Sequence, residues 1–203
     1  MTKSDTREAL LSAARTVFAR RGYDGATVKE LAEAAGVNVS LVSYHFEGKE
    51  NLYRACVERF GIDRLAAAER MLKVPESVED LRLRIQLFCE EFLLCHVQEP
   101  DLSTIIHREC GGEMILIKDI FINVFVKVFE TLIRFFEGAR ARKLIRADVD
   151  CHIHSMLFMG SLTNIVRMDS LHLELFHSSI KDPAYRESIV QQISKSLIEG
   201  IIP

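Results

Sequence analysis

TVKELAEAAGVNVSLVSYHFEGK, residues 27–49, is the stretch from which the rest of this chain can be read. Thr27 and Glu30 stand at capping-box spacing, in which the Thr hydroxyl accepts from the Glu30 N–H while the carboxylate reaches back to the N–H of Thr27. A helix is therefore expected from Thr27, with Leu31, Ala32 and Ala35 on its inner face. Gly36 supplies the left-handed backbone that ends it. Asn38 is suited to cap a second helix almost at once, and Val42 with Phe46, one turn apart, give that helix a narrow apolar edge. Val39, Ser40, Ser43 and Tyr44 remain on the outside. A short helix that presents its N-terminal side chains in this way fits the major groove of B-DNA.

The pattern continues on both sides. Before it stand Leu10, Ala14 and Phe18 at helical spacing and the run Arg21-Gly22-Tyr23-Asp24-Gly25-Ala26-Thr27. Within and after it come Ala34-Ala35-Gly36-Val37, Tyr44-His45-Phe46 and Gly48-Lys49-Glu50-Asn51-Leu52-Tyr53. Over Arg7 to about Val57 this order of glycines, cap and aromatic cluster closely resembles the TetR-type transcriptional regulators, and the likeness fades past the fourth helix. The resemblance implies base-edge contacts from Val39, Ser40 and Ser43 and phosphate contacts from Thr27, Tyr44, His45 and Lys49, with Asn38 in the same interface. The competing reading makes Ser40 and Ser43 solvated helix positions and His45 a packed ring. The chain departs from the commoner family pattern at Val39, where a polar or basic residue is frequent, and at Ser43, where a large aromatic is frequent. Val39 suits a thymine methyl.

Composition bounds the remainder. The 203 residues are 48% hydrophobic with only four prolines, enough for a sizeable core and permissive of long helices, and alternating Val/Ile/Thr runs are lacking. The expected fold class is all-α: a three-helix helix-turn-helix domain over residues 1–50 and a helical ligand-binding and dimerisation domain over 51–203, about nine helices in all. The transition is expected along the fourth helix. No charged leader with an apolar run opens the sequence, and no stretch nears about 18 uncharged apolar residues, so a cytoplasmic protein with no membrane partner is expected. Formal net charge is −3. The first 54 residues are nearly balanced, so DNA affinity must come from placed donors and a doubled module rather than from a strongly basic field.

Helix one is expected from Ser4 or Asp5 to Arg20, helix four from Lys49 to Met71 and helix five from Val78 to Gln98; Glu99-Pro100-Asp101 then leads to a short helix through Arg108. Gly111-Gly112 is a hinge candidate, Met114 to Lys143 a helix buried on several sides, and Asp148-Val149-Asp150 a cap for a helix through Met168. Pro183 suits the first turn of a last helix ending near Ile201. Phe88, Phe92, Phe121 and Phe125 serve a core or a pocket, and His96, His107, Asn123 and Asn164 are polar groups that a ligand could satisfy. The effector candidates are thus Phe88, Phe92, His96, His107, Phe121, Phe125 and Asn164. Ile153, Leu157, Gly160 and Ser161, with Ile189, Ile193 and Leu197, carry the apolar and small surface expected of a homodimer interface.

Five cysteines without a CxxC pair disfavour both a disulfide framework and a structural zinc site, and Cys110, beside His107 and Arg108, is the one neighbourhood that suggests redox sensing. Cys151, His152 and His154 have the wrong spacing for a metal on one helix. No cofactor and no catalytic constellation is expected. The leading functional reading is a dimeric repressor that grips a palindromic double-stranded operator and releases it on binding a small effector. The alternative is a DNA-bound adaptor whose helical domain docks a protein partner.

Overall fold

The computed structural model describes residues 3–203, and among these every regular element is helical. In chain order they are α1 (Lys3–Gly25), α2 (Val28–Ala34), α3 (Ser40–Phe46), α4 (Lys49–Met71), α5 (Val78–Gln98), α6 (Pro100–Cys110), α7 (Lys118–Ile120), α8 (Val126–Ala141), α9 (Cys151–Phe176) and α10 (Pro183–Ile193). A π-helical turn, Phe121–Phe125, carries α7 into α8, so those two segments make one interrupted helix.

The chain divides into two compact bodies. The first runs to Ile62 and adds Glu99–Val124; the second comprises Asp63–Gln98 and Phe125–Pro203. This partition differs from the expected division at residue 50. The first half of α4 and all of α6 pack with the N-terminal helices, because Leu52, Tyr53, Cys56 and Val57 on α4 and Leu102, Ile105 and Ile106 on α6 are buried with Leu10, Leu11, Ala14 and Phe18 of α1. Phe18 meets Tyr53 edge-on at 4.9 Å.

In the second body α5 carries Leu81, Ile85, Phe88, Cys89 and Leu93 into one core with Leu132, Phe135 and Phe136 of α8 and Phe158 and Leu162 of α9. Each large side chain removed from water here contributes about 1.5–3 kcal/mol. Arg186, 8% exposed, bridges two elements: Nε donates to Glu90 at 2.7 Å and Nη1 to the Ile180 carbonyl at 2.8 Å. Asp169 staples the turn before α10, accepting from the Ile180 N–H and the Ser179 hydroxyl.

Three expected spans move. The segment expected to begin at Met114 becomes helical only at Lys118, because Met114 adopts φ 52° and turns the chain. The helix expected to stop at Met168 runs to Phe176, capped at its start by Asp150 and ended by His177 at φ 53°. The last helix is α-helical only to Ile193, then widens into a π-turn, Ser194–Ile198, and tightens over Glu199–Ile201.

Candidate functional sites

The reading head is set by its caps. Thr27 Oγ1 accepts from the Glu30 N–H at 3.1 Å. The return half of the expected capping box is replaced: the Glu30 carboxylate holds Arg20 at 3.1 Å and Arg21 at 3.3 Å, which ties α2 to the end of α1. At the other end Gly36 has φ 67°, its N–H bonds to the Glu33 carbonyl, and the Val37 N–H reaches the Ala32 carbonyl at 3.0 Å. That pair of bonds is a Schellman closure. Asn38 Oδ1 then accepts from both the N–H and the hydroxyl of Ser40, at 3.0 and 2.9 Å, so it caps α3.

With Val42 and Phe46 buried, α3 turns Val39 (46% exposed), Ser40, Ser43 and Tyr44 (64% exposed) outward on one face. This is the face that the spacing foretold. Asn38 is occupied by capping and the Ser40 hydroxyl by donation to Asn38, so Ser40 faces outward chiefly as an acceptor. His45 is half-buried, its ring 5.0 Å from Tyr44. Arg7 lies over the Phe46 ring at 5.0 Å, which ties α1 to the recognition helix.

Lys49 stands where a phosphate donor was expected, yet its ammonium turns inward. Nζ donates to the Tyr23 carbonyl at 3.0 Å and the Ala26 carbonyl at 3.1 Å, and lies 4.2 Å from the Tyr23 ring centre. It fastens the turn between α1 and α2 to the start of α4. A Lys ammonium has three N–H donors, and two are committed to the protein.

The effector candidates are spread over both bodies. His107 and Phe121 belong to the first; Phe88, Phe92, His96, Phe125 and Asn164 belong to the second. Phe88 is a core residue, 4% exposed, with its ring tilted against Phe158 at 6.2 Å. Phe92 is half-buried with the His96 ring 4.7 Å away, and His96 Nδ1 donates to the Phe92 carbonyl at 2.6 Å. Asn164 is not stranded in a core: it is exposed on α9, Oδ1 accepts from Arg167 at 2.9 Å, and it lines a groove of about 320 Å³ between α9 and α10 with Ile165, Met168, His172, Tyr185 and Ile189.

Among the dimer candidates Ile153, Leu157 and Gly160 are exposed, Ser161, Ile189 and Leu197 are half-buried, and Ile193 is only 7% exposed. Ile193 is thereby corrected: it packs in the second body's own core, because α10 needs it with Val190 to seat on α5. Desolvation, and then the Glu109 carboxylate, push the Cys110 thiol up, the opposite of a reactive thiolate. Burial likewise holds Cys56 and Cys89 up at about 12, as suits small core hydrophobes. Cys151 and His154 point into the core while His152 is exposed, so the three do not converge.

Residues 10–56 match the model of the bacterial regulatory proteins of the tetR family. The chain is 24% identical over 198 residues to the "Probable HTH-type transcriptional regulator YttP" of Bacillus subtilis, covering 94% of this chain and 91% of that one. It is 33% identical over 94 residues to the HTH-type transcriptional repressor AcnR of Corynebacterium glutamicum, an alignment that spans 41% of this chain and half of the repressor. In fold it matches the fatty acid degradation regulator FadR of Bacillus halodurans at a TM-score of 0.75 and 14% identity, over 96% of this chain and 95% of that one. Residues 10–56 thus form a DNA-binding domain of the tetR family. The chain is a DNA-binding transcriptional regulator, akin to proteins that are themselves regulators rather than enzymes.

The sequence reading passed over one set of residues, those that bind α6 and α7 into the DNA-reading body. Arg108 donates to the Phe18 and Ala19 carbonyls at 3.0 and 2.9 Å, capping with a cation the main stretch of α1, which Gly22 at φ 74° interrupts. The Tyr53 hydroxyl donates to Glu109 at 2.6 Å; burial first, and then that bond, push its pKa far above the usual phenol value. Thr16 donates to Asp101 at 2.7 Å, and Arg54 forks onto both oxygens of Asp119 and reaches the Leu116 carbonyl. These pairs are 56 to 90 residues apart, and no local pattern signals them. Among the described residues no helix is long and apolar enough to cross a membrane.

Proposed function

We propose that the protein acts as a homodimeric repressor that reads a palindromic operator through α3 and lets go when a small effector binds its second body. The outward face of Val39, Ser40, Ser43 and Tyr44, held by caps at both ends of the turn, carries the reading. In this proposal Val39 and Ser43 meet base edges, Tyr44 and His45 meet phosphates, and Ser40 accepts. The effector seat is Phe92 with His96 on α5, supported by two half-buried rings beside a core that Phe88 has already filled.

Release works through the chain crossings. α4 is continuous across the boundary at Ile62, and the π-helical turn Phe121–Phe125 spans the last crossing. Such turns recur at functional bends in helices. An effector that favours one setting of these crossings lowers operator affinity by its difference in affinity between the two states.

Sequencing DNA fragments retained by the purified protein tests the reading. A twofold-symmetric motif is expected, recovered in competition at moderate salt, and Phe92→Leu is expected to change effector response while leaving operator affinity close to wild type. Retention of fragments without a shared motif would overturn it.

A further inference from the structure

We infer that Ser40 reads the operator as a fixed hydrogen-bond acceptor and so selects an amino base, adenine or cytosine, on the strand it meets, with Asn38 as the residue that fixes it. This rests on the reading of DNA by α3 proposed above and adds the class of base edge. Ser40 has a single hydroxyl proton, and that proton is spent on Asn38 Oδ1 at 2.9 Å. The same oxygen accepts the Ser40 N–H at 3.0 Å, which holds the carboxamide against the start of the helix. What the hydroxyl has left to offer is its lone pairs.

Ser40 is exposed on the face that also carries Val39, Ser43 and Tyr44. In the major groove adenine and cytosine present amino groups, whereas guanine O6 and thymine O4 are acceptors. An amino group meets a Ser40 lone pair while the bond to Asn38 stands. A keto oxygen needs the proton, and supplying it breaks the Asn38 bond where docking excludes water. The two classes of base therefore differ by one hydrogen bond, about fivefold in affinity per half-site. Ser43, one turn further on, has no such lock: among the described residues its hydroxyl makes no hydrogen bond, so it donates or accepts as the base requires.

The rest of the face does not override this choice. Val39 offers only methyl groups, and α3 carries no Arg or Lys to fork onto guanine. Lys49, the next lysine along the chain, turns inward to the Tyr23 and Ala26 carbonyls.

Competition binding across every single-base variant of the motif that the full chain selects tests this, with wild type, Ser40→Ala, Asn38→Gly and Asn38→Asp side by side. Ser40→Ala marks the position Ser40 reads, by flattening the preference there. At that position wild type should favour A or C over G or T by about fivefold. A purine in place of adenine, or a pyrimidinone in place of cytosine, lacks only the amino group. It should weaken wild type by about the same factor and leave Ser40→Ala unmoved. Glycine is accepted at helix starts, so Asn38→Gly spares α3 but releases the hydroxyl, and the two classes of base should become equal at this one position. Asn38→Asp keeps the acceptor and should retain the preference at lower overall affinity, because its charge repels phosphate. A preference for G or T at that position, no position altered by Ser40→Ala, or Asn38→Gly weakening all variants alike with the preference intact would overturn the inference and leave DNA reading by α3 in place. Selection of fragments without a shared motif would overturn both.

Discussion

Lys49→Met separates two roles that look alike in a binding assay. The change keeps the aliphatic stem and deletes two charge-assisted bonds, to the Tyr23 and Ala26 carbonyls, and the ammonium over the Tyr23 ring. Bonds from charged donors contribute about 1.5–3 kcal/mol each when well shielded, and an exposed cation–π contact about 0.5–1 kcal/mol. Lys49 is half-buried, and water partly replaces what is lost, so the sum discounts to about 2 kcal/mol. For a chain of this size that lowers Tm by about 4–8 °C. Operator affinity should fall because the turn that seats α2 and α3 loosens, while the slope of log affinity against log salt stays at its wild-type value. A phosphate contact behaves in the opposite way: its loss removes about 0.9 from that slope per reading head and leaves the melt in place. An unchanged melting temperature with a shallower salt dependence would refute the clamp and return Lys49 to the DNA backbone.

The remaining expectations follow from the same geometry. Ser43→Ala, on the exposed face of α3, should leave the melt unchanged and shift preference at one or two positions of each half-site by about 1–3 kcal/mol, read by competition among single-base operator variants; a uniform loss over all variants would count against base contact. Arg108→Met should destabilise the chain by about 1–2 kcal/mol in urea titrations, by uncapping the Phe18 and Ala19 carbonyls; no loss would show that water caps α1 as well. His154 is 8% exposed with its Nε2 unpartnered among the described residues and its ring edge-on to Phe136 at 4.6 Å, and burial lowers its pKa. The unfolded chain therefore takes up this proton first, so the stability His154 allows is whole above about pH 6.5 and declines as pH falls below it. His154→Phe should flatten that decline in urea midpoints measured between pH 7 and 5, and an identical pH profile in the variant would place the dependence elsewhere.

The reading head was legible because its information is local. Thr27, Gly36 and Asn38 act on backbone groups two to five residues away, and each bond is made where the spacing placed it. The outward face of α3 followed from the two buried positions, Val42 and Phe46, by helical period alone. What the spacing does not reach is where a long charged side chain turns once the chain has folded. Lys49 and Glu30 look free in the sequence and are drawn to carbonyls and guanidinium groups on α1 and its following turn. Asn164 was read as stranded among apolar residues because its neighbours in sequence are apolar. On α9 those neighbours point the other way, and the residue itself lies on the exposed side.

The membership of α6 in the DNA-reading body is the least legible feature and has the largest consequence. Its apolar stripe of Leu102, Ile105 and Ile106 gives its inward face but not its addressee, since any apolar surface of similar shape would bury it equally. The addressee is chosen by groups that periodicity ignores: Arg108 on the end of α1, Glu109 on Tyr53 and Asp101 on Thr16. Each is a directional bond, which the apolar period of a helix does not encode. The three-helix head expected from the sequence is therefore physically a larger body, in which α1 is capped by a residue some ninety positions downstream. A rearrangement of α6 would disturb the buttress of the recognition helix directly.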